Sequence, residues 1–511
     1  MQQILSGEAL VFSAKKDSGS EFEFILPEYL PGIARIIKSV ACIENSVIRN
    51  DGTQAVFELS LKLGIIYSSD FGGKIKSIYF HETVSVPMGA SFEKDENTVI
   101  IPSAFISSVS SRPLSTRKFA TSCSYHVSAI ALKETSREML DEKDGSEICA
   151  LKEKHELCRK ITLPEVFFDH DVEITLDQSE PGVNEIIYAD TVFLGATCNT
   201  YESRIDFDGR FMVHILYETS ENSTDSSTSS YEIISRPVTV KQSIEDDRIK
   251  EGQNAFIYLD AAFPEPSVSF DPYGENKIIS LSLSFSASPI ILEKYTAEII
   301  TDAFSEKHST SPVISETTLC SAKNVISNSV NISEAIRGDI RDLSEVSDCI
   351  AKILSVSMEI SDAKLFAVAK CLVSVLGANS SGELTGFDSI VTLHIPVYSE
   401  NAVSGDIIPE IILSLSSCSA AVKEGLLTAN FDISVNGMIT EQKKVGIVTS
   451  LLPIGEEDEV KKNNEIVIYY PSAGDTLWSI AKKYSTNPET IIKTNSLEND
   501  TISSKHIILI P

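Results

Sequence analysis

Three stretches of this chain alternate apolar and polar side chains, and each is followed at a nearly constant distance by a proline. Phe57, Leu59, Leu61, Leu63, Ile65 and Tyr67 alternate with Glu58, Ser60, Lys62 and Gly64, the period of two that a half-buried strand requires. Phe207, Phe211, Val213, Ile215 and Tyr217 repeat the pattern 150 residues later, with Gly209 in one inward slot. Ala367, Ala369, Cys371, Val373 and Val375 repeat it again and end at Gly377, where the first two copies have tyrosine. Tyr67 to Pro87 is 20 residues, Tyr217 to Pro237 is 20, and Gly377 to Pro396 is 19. Proline removes a ladder donor, so each copy is expected to carry it on an edge strand or at a bulge.

A later alternating strand completes each unit: Cys123, Tyr125, Val127 and Ala129, then Leu281, Leu283, Phe285 and Ala287, then Leu427, Ala429, Phe431, Ile433 and Val435. The lead-in segments Pro31-Gly32-Ile33 and Pro181-Gly182-Val183 keep the same offset, and the third copy lacks them. Units of this length can each bury a core. The expected fold class is therefore mainly β: three tandem β-sandwich-like units (1–145, 146–310 and a diverged 311–455), then a small βααβ module (464–511). Linkers are expected near 134–154, 302–318 and 456–464, the last as a tether with some freedom. Glu218 to Ser230, almost wholly Ser, Thr, Asn, Asp and Glu, reads as a flexible hairpin excursion.

The 511 residues carry 73 acidic against 43 basic side chains, a formal charge of -30. Residues 466 to 511 hold four of each, so the acidity lies in the body. Such a surface repels phosphate backbones and anionic lipid; nucleic acid is an unsuitable partner and a basic protein a better one. Met1 to Glu8 has no basic and apolar leader pattern, no apolar run reaches membrane-spanning length, and the nine cysteines form no C-x-x-C pair. A reduced, cytoplasmic protein with no transmembrane segment is the expectation.

The module itself reads clearly. A strand, Ile466-Val467-Ile468-Tyr469, precedes Gly474-Asp475-Thr476-Leu477-Trp478-Ser479-Ile480-Ala481. Leu477, Ile480, Ala481 and Tyr484 fall on one helical face, with Asp475 the expected N-cap. Asn487-Pro488-Glu489 opens a second helix, and Ile507 to Ile510 closes the fold as a strand. This segment resembles a LysM domain. The resemblance implies a shallow groove for N-acetylglucosamine oligomers (peptidoglycan or chitin) between Ser472, Gly474, Asp475 and Thr476 on one wall and Asn499, Asp500, Thr501, Ile502 and Ser503 on the other. Many LysM domains have Pro-Gly-Gln before the last strand; here Ser503-Ser504-Lys505 stands instead. Trp478, the only tryptophan, is a candidate interface anchor, weighed against partial core packing.

Leu26-Pro27-Glu28-Tyr29-Leu30-Pro31-Gly32-Ile33, the recurring strand ending in tyrosine and the LysM-like tail together resemble SPOCS-domain proteins of the SipL type, from endospore formers. That resemblance implies a scaffold of spore envelope assembly at the forespore surface in the mother-cell cytoplasm, docking through its LysM domain on a SpoIVA-like coat ATPase. Chemistry is harder to find. The chain has no Walker A loop, H-E-x-x-H or G-x-S-x-G pattern, so no catalytic residue, cofactor or metal is assigned and a non-enzymatic protein is expected. His126, His214 and His394 read as outward or edge strand residues. His155 between Cys149 and Cys158 does not match a zinc spacing, and Glu153, Lys154, Glu156, Arg159 and Lys160 read as a charged helix. Asp169, His170, Asp171 and Asp177 read as a solvated acidic surface.

Overall fold

The computed structural model describes residues 4–511 apart from 51–53, 72, 90–97, 141–146, 221–229, 337–342, 363, 399–406, 424–425, 455–465, 473, 498–501 and 503–506. The first third supplies β1 (Ile4–Ile25), β2 (Ile33–Asn50), β3 (Ala55–Ser69), β4 (Ile75–Pro87), β5 (Thr98–Ser115) and β6 (Lys118–Glu138). They form two three-stranded sheets, β1-β6-β5 and β2-β3-β4, with every neighbouring pair antiparallel. The alternation read in the sequence is the inward face of β3. Phe57, Leu59, Leu61, Leu63, Ile65 and Tyr67 are fully buried and share one core with Phe119, Cys123, Tyr125 and Val127 of β6. Six such side chains supply of order 10 kcal/mol of gross hydrophobic stabilisation, against the entropy of ordering them.

The same strand order recurs twice. The second third folds as β7 (Ile148–Thr162), β8 (Val166–Thr175), β9 (Val183–Tyr201), β10 (Arg204–Thr219), β11 (Tyr231–Glu245), β12 (Asn254–Ala261), β13 (Glu265–Ser269) and β14 (Ile278–Ser305). Its sheets are β11-β10-β9 and a second sheet centred on β14, flanked by β7 and β8 on one side and by β12 and β13 on the other. Each flank equals one strand of the first unit, interrupted next to Pro164 and Pro264, which cannot donate to the ladder. The last third, β15 (Thr310–Ile336), β16 (Glu345–Ser361), β17 (Lys364–Ala378), β18 (Leu384–Tyr398), β19 (Ile407–Lys423) and β20 (Leu426–Pro453), gives β15-β20-β19 and β16-β17-β18.

The prolines and tyrosines of the repeat have separate physical roles. Pro87, Pro237 and Pro396 lie on β4, β11 and β18, each the edge of its sheet, where a missing N–H leaves no partner stranded. Buried Tyr67 donates its hydroxyl to the Pro31 carbonyl at 3.1 Å, and Tyr217 donates to the Pro181 carbonyl at 3.2 Å, fastening the lead-in loop onto the strand end. In the third unit a Cβ at Gly377 would stand 2.0 Å from the Glu345 carbonyl oxygen and 2.5 Å from Leu343. The backbone occupies the tyrosine's space, which explains the glycine.

The units are not beads on a string. One apolar cluster runs from Ile37, Val40 and Ile66 through Ile187, Tyr188 and Leu216 into the core of the third unit. Polar bonds cross the same seams: Lys74 to Glu218 at 2.9 Å, Lys160 to Glu410 at 3.0 Å, Lys352 to Asp260 at 2.9 Å, and Arg35 to the Leu384 carbonyl at 2.9 Å.

Several sequence expectations need correction. Glu153 to Lys160 is strand, not helix: β7 pairs along its whole length with the second half of β14; Glu153, Lys154 and Glu156 are exposed, while Arg159 and Lys160 are half-buried and pair with Glu293 and Glu410. His214 is mostly buried between units, 3.7 Å from Asp348. Of the expected linkers, 134–138, 148–154, 302–305 and 310–318 are strand, while 456–464 lies outside the described residues. So does most of the Ser/Thr-rich excursion, 221–229.

Candidate functional site

The tail is built from β21 (Val467–Tyr469), α1 (Leu477–Lys483), α2 (Pro488–Asn495) and β22 (Ile508–Ile510), with β21 and β22 antiparallel. Leu477, Ile480 and Ala481 of α1, Ile491 of α2, and Ile508 and Ile510 of β22 make its core. Thr476, not Asp475, is the N-cap of α1. Its hydroxyl accepts from the Ser479 amide at 3.1 Å while Ser479 Oγ accepts from the Thr476 amide at 3.0 Å, a capping box built with serine in place of the usual Glu or Gln. Asn487 caps α2 with Pro488 at its first position, as the sequence indicates. Asn495 acts as a substitute strand: its amide group donates to the Leu509 carbonyl and accepts from the Leu509 amide, both at 2.7 Å.

The candidate groove residues divide into three groups. Ser472 and Gly474 are exposed, and Gly474 adopts φ +100° with nothing within 4 Å of its Cβ direction, so the loop tip is open and its conformation favours glycine. Asp475 and Thr476 serve the loop itself. The Asp475 carboxylate accepts from the Ser472 amide at 2.7 Å and from the Tyr469 hydroxyl at 2.8 Å. The Ser472 amide first, and the tyrosine second, hold that carboxyl below its ordinary range, and the Asp475 hydrogen bond in turn raises the Tyr469 hydroxyl. Of the residues expected on the other wall, Ile502 is half-buried against the module core. Asn499, Asp500, Thr501 and Ser503 lie outside the described residues.

Trp478 turns to the β body. Its ring packs on Phe304 with centroids 5.2 Å apart, and its N–H donates to Asp302 Oδ2 at 2.8 Å. Lys482, one turn on, reaches both oxygens of Asp302 at 2.6 and 2.7 Å. Asn487 Nδ2 donates to Glu306 Oε1 at 3.2 Å, and buried Cys149 and Phe304 join the module's own core cluster. The tail is thus seated on the end of β14 and β7. Asp302, Phe304 and Glu306 were missed in the sequence because they fall where charge and a Ser/Thr run suggested a linker. The apolar pairs Ile299-Ile300 and Ala303-Phe304 within that stretch are the available signal that it is structured.

A second surface belongs to the module. Ile466, Ile468, Tyr470 and Ile507 are 64, 58, 70 and 54% exposed, an apolar patch on and beside the two-stranded sheet. Lys483 lies over the rings of Tyr469 and Tyr484, 5.2 and 5.6 Å from their centroids.

Comparison with known proteins decides the module's family. The LysM domain model matches residues 472–511. This tail is a LysM domain. The match stops at Ser472 and says nothing of the β body; no curated protein matches the chain. Among the described residues no helix is long and apolar enough to cross a membrane.

Proposed function

We propose that this chain is a non-catalytic recognition protein whose LysM domain takes a short run of N-acetylglucosamine units, from peptidoglycan or a chitin-like oligomer. LysM domains are known for that ligand class. The observation that carries the reading is the 472–476 loop: pinned from beneath by Asp475, capped by Thr476, and open at Ser472 and Gly474. Exposed loop backbone can pair with acetamide groups, and Ile502 offers apolar floor for the acetyl methyl. In this reading the body is three sandwich-like units that hold the LysM domain at a fixed place on an acidic support.

A second reading treats the same protein as an assembly adaptor, in line with the SPOCS resemblance: a cytoplasmic scaffold at the forespore surface engaging a SpoIVA-like coat ATPase. What favours it is the exposed patch of Ile466, Ile468, Tyr470 and Ile507, since apolar patches rimmed by polar surface mark protein interfaces, together with a body charge suited to a basic partner. Co-sedimentation of the full chain with insoluble peptidoglycan separates the two. The glycan reading expects pelleting that chitin oligomers compete away and that Tyr470→Glu leaves intact; a chain that stays in the supernatant at every glycan concentration would refute it.

A further inference from the structure

Two cysteines of the third unit approach each other across its sheets. Cys349 on β16 is buried, Cys418 on β19 is partly exposed, and their sulfurs stand 3.4 Å apart as free thiols. The two strands belong to different sheets of the unit, β16-β17-β18 and β15-β20-β19, so no ladder hydrogen bond joins them. Each thiol follows an irregularity in its strand: register shifts occur between Val346 and Asp348 and between Leu415 and Ser417. Bulges redirect side chains, and here they bring both sulfurs to one point.

The pair is peculiar to the third unit. Cys349 faces Val375 across the β16–β17 ladder, and the matching neighbours of Ile65 and Ile215 in the other units are Ser39 and Ala189. The third unit also lacks the tyrosine latch, with Gly377 in its place. Of the nine cysteines, Cys42, Cys123, Cys158 and Cys371 are buried, and burial is the first cause that raises their thiols. Cys158 has a second thiol near it, Cys320 of β15, which adds to its rise; the direct sulfur–sulfur contact among the described residues is that of Cys349 and Cys418.

We propose that Cys349 and Cys418 are a reversible dithiol–disulfide site that staples the two sheets of the third unit when a low-molecular-weight disulfide, such as oxidised glutathione, is in excess. The partly exposed thiol reacts first. Cys418, as thiolate, attacks one sulfur of the oxidant, its S–S bond breaks, and one glutathione thiolate leaves with the electron pair. Cys349 then gives up its proton and attacks Cys418 Sγ; the mixed disulfide breaks and the second glutathione departs. Two protein S–H groups become one S–S bond while one oxidised glutathione becomes two reduced ones. Closing a bond of about 2.05 Å from the 3.4 Å contact brings the two sulfurs together by a little over 1 Å. The hydrogen bond to the Cys418 sulfur, then burial, push the Cys349 thiol up, which leaves the more exposed Cys418 to make the first attack.

The test uses the full chain. After incubation with oxidised glutathione and removal of excess, denaturing thiol titration should fall from nine free thiols by two, and peptide mass spectrometry should find Cys349 joined to Cys418. The loop closed spans 69 positions, so the thermal midpoint of the oxidised protein should rise by roughly 5–15 °C and return on reduction. Cys349→Ser should trap a single glutathionyl adduct on Cys418. Cys418→Ser should keep Cys349 reduced and unmodified. Nine thiols after oxidation, a stable adduct on Cys418 of the unsubstituted chain, or a crosslink elsewhere would each overturn the proposal, and the wild-type chain alone gives these results even if a variant fails to fold.

Discussion

Removing the Asp302 carboxylate should release the LysM domain from the body, and the effect can be worked from the contacts. Asp302→Ala deletes the acceptor for the Trp478 N–H at 2.8 Å and for Lys482 at 2.6 and 2.7 Å. A neutral donor on a carboxylate contributes about 1.5 kcal/mol. The Lys482 pair, with side chains 37 and 23% exposed, is discounted for solvent to about 0.5–1 kcal/mol. The sum, roughly 2–2.5 kcal/mol, shifts the seated-to-released ratio by a factor of about 30–70. Trp478 is the only tryptophan, so fluorescence reads this equilibrium without a label. Emission should move to longer wavelength and acrylamide quenching should approach that of free indole, more so when Phe304→Ala also removes the ring that Trp478 packs on. Asp302→Asn, which keeps one acceptor, should be intermediate. Unchanged emission and quenching in the double variant, with the fold intact by circular dichroism, would refute the seating.

Other consequences follow from individual contacts. Tyr217→Phe leaves the Pro181 carbonyl without its donor and should lower stability by about 1 kcal/mol in urea unfolding, with Tyr67→Phe doing the same through Pro31. Gly377→Ala places a methyl 2.0 Å from the Glu345 carbonyl and should cost about 3 kcal/mol or more, seen as an early unfolding transition, because the obstacle is backbone. Asn495→Ala removes both bonds to Leu509 and should destabilise the LysM domain by about 2–3 kcal/mol, read as faster amide exchange in 491–510. The Asp475 carboxyl is held below its ordinary value of 3.8; a depressed folded value stabilises above the unfolded one and loses that as pH falls through the folded one. Exchange at the Ser472 amide should therefore be flat from pH 7 to about 4 and accelerate, after correction for intrinsic rates, only below that.

Much of the architecture was legible because burial leaves a period in the sequence. The strand from Phe57 to Tyr67, its counterpart from Phe207 to Tyr217, and the edge prolines all came from side-chain alternation and spacing, and they reappear as inward faces and sheet edges. The helices of the tail were readable for the same reason, although Thr476 displaced Asp475 as cap because the aspartate is needed by Tyr469 and Ser472. What stayed hidden was contact between distant segments. Nothing local in Asp302 or Phe304 announces that a helix 176 residues away will rest on them, and the charges of β7 resemble a solvated helix because its pairing with β14 leaves no mark within β7 itself. The packing of the units onto one another was lost likewise, since residues such as Ile37, Leu216 and His214 look outward in any single strand.

Hydrogen exchange on the full chain with and without a chitin oligomer tests the central claim most directly. Ligand should slow exchange in 470–477 and around Ile502 and leave Trp478, Phe304 and the β body unchanged. Protection confined to the β body, or none at saturating oligomer, would contradict recognition through the LysM loop.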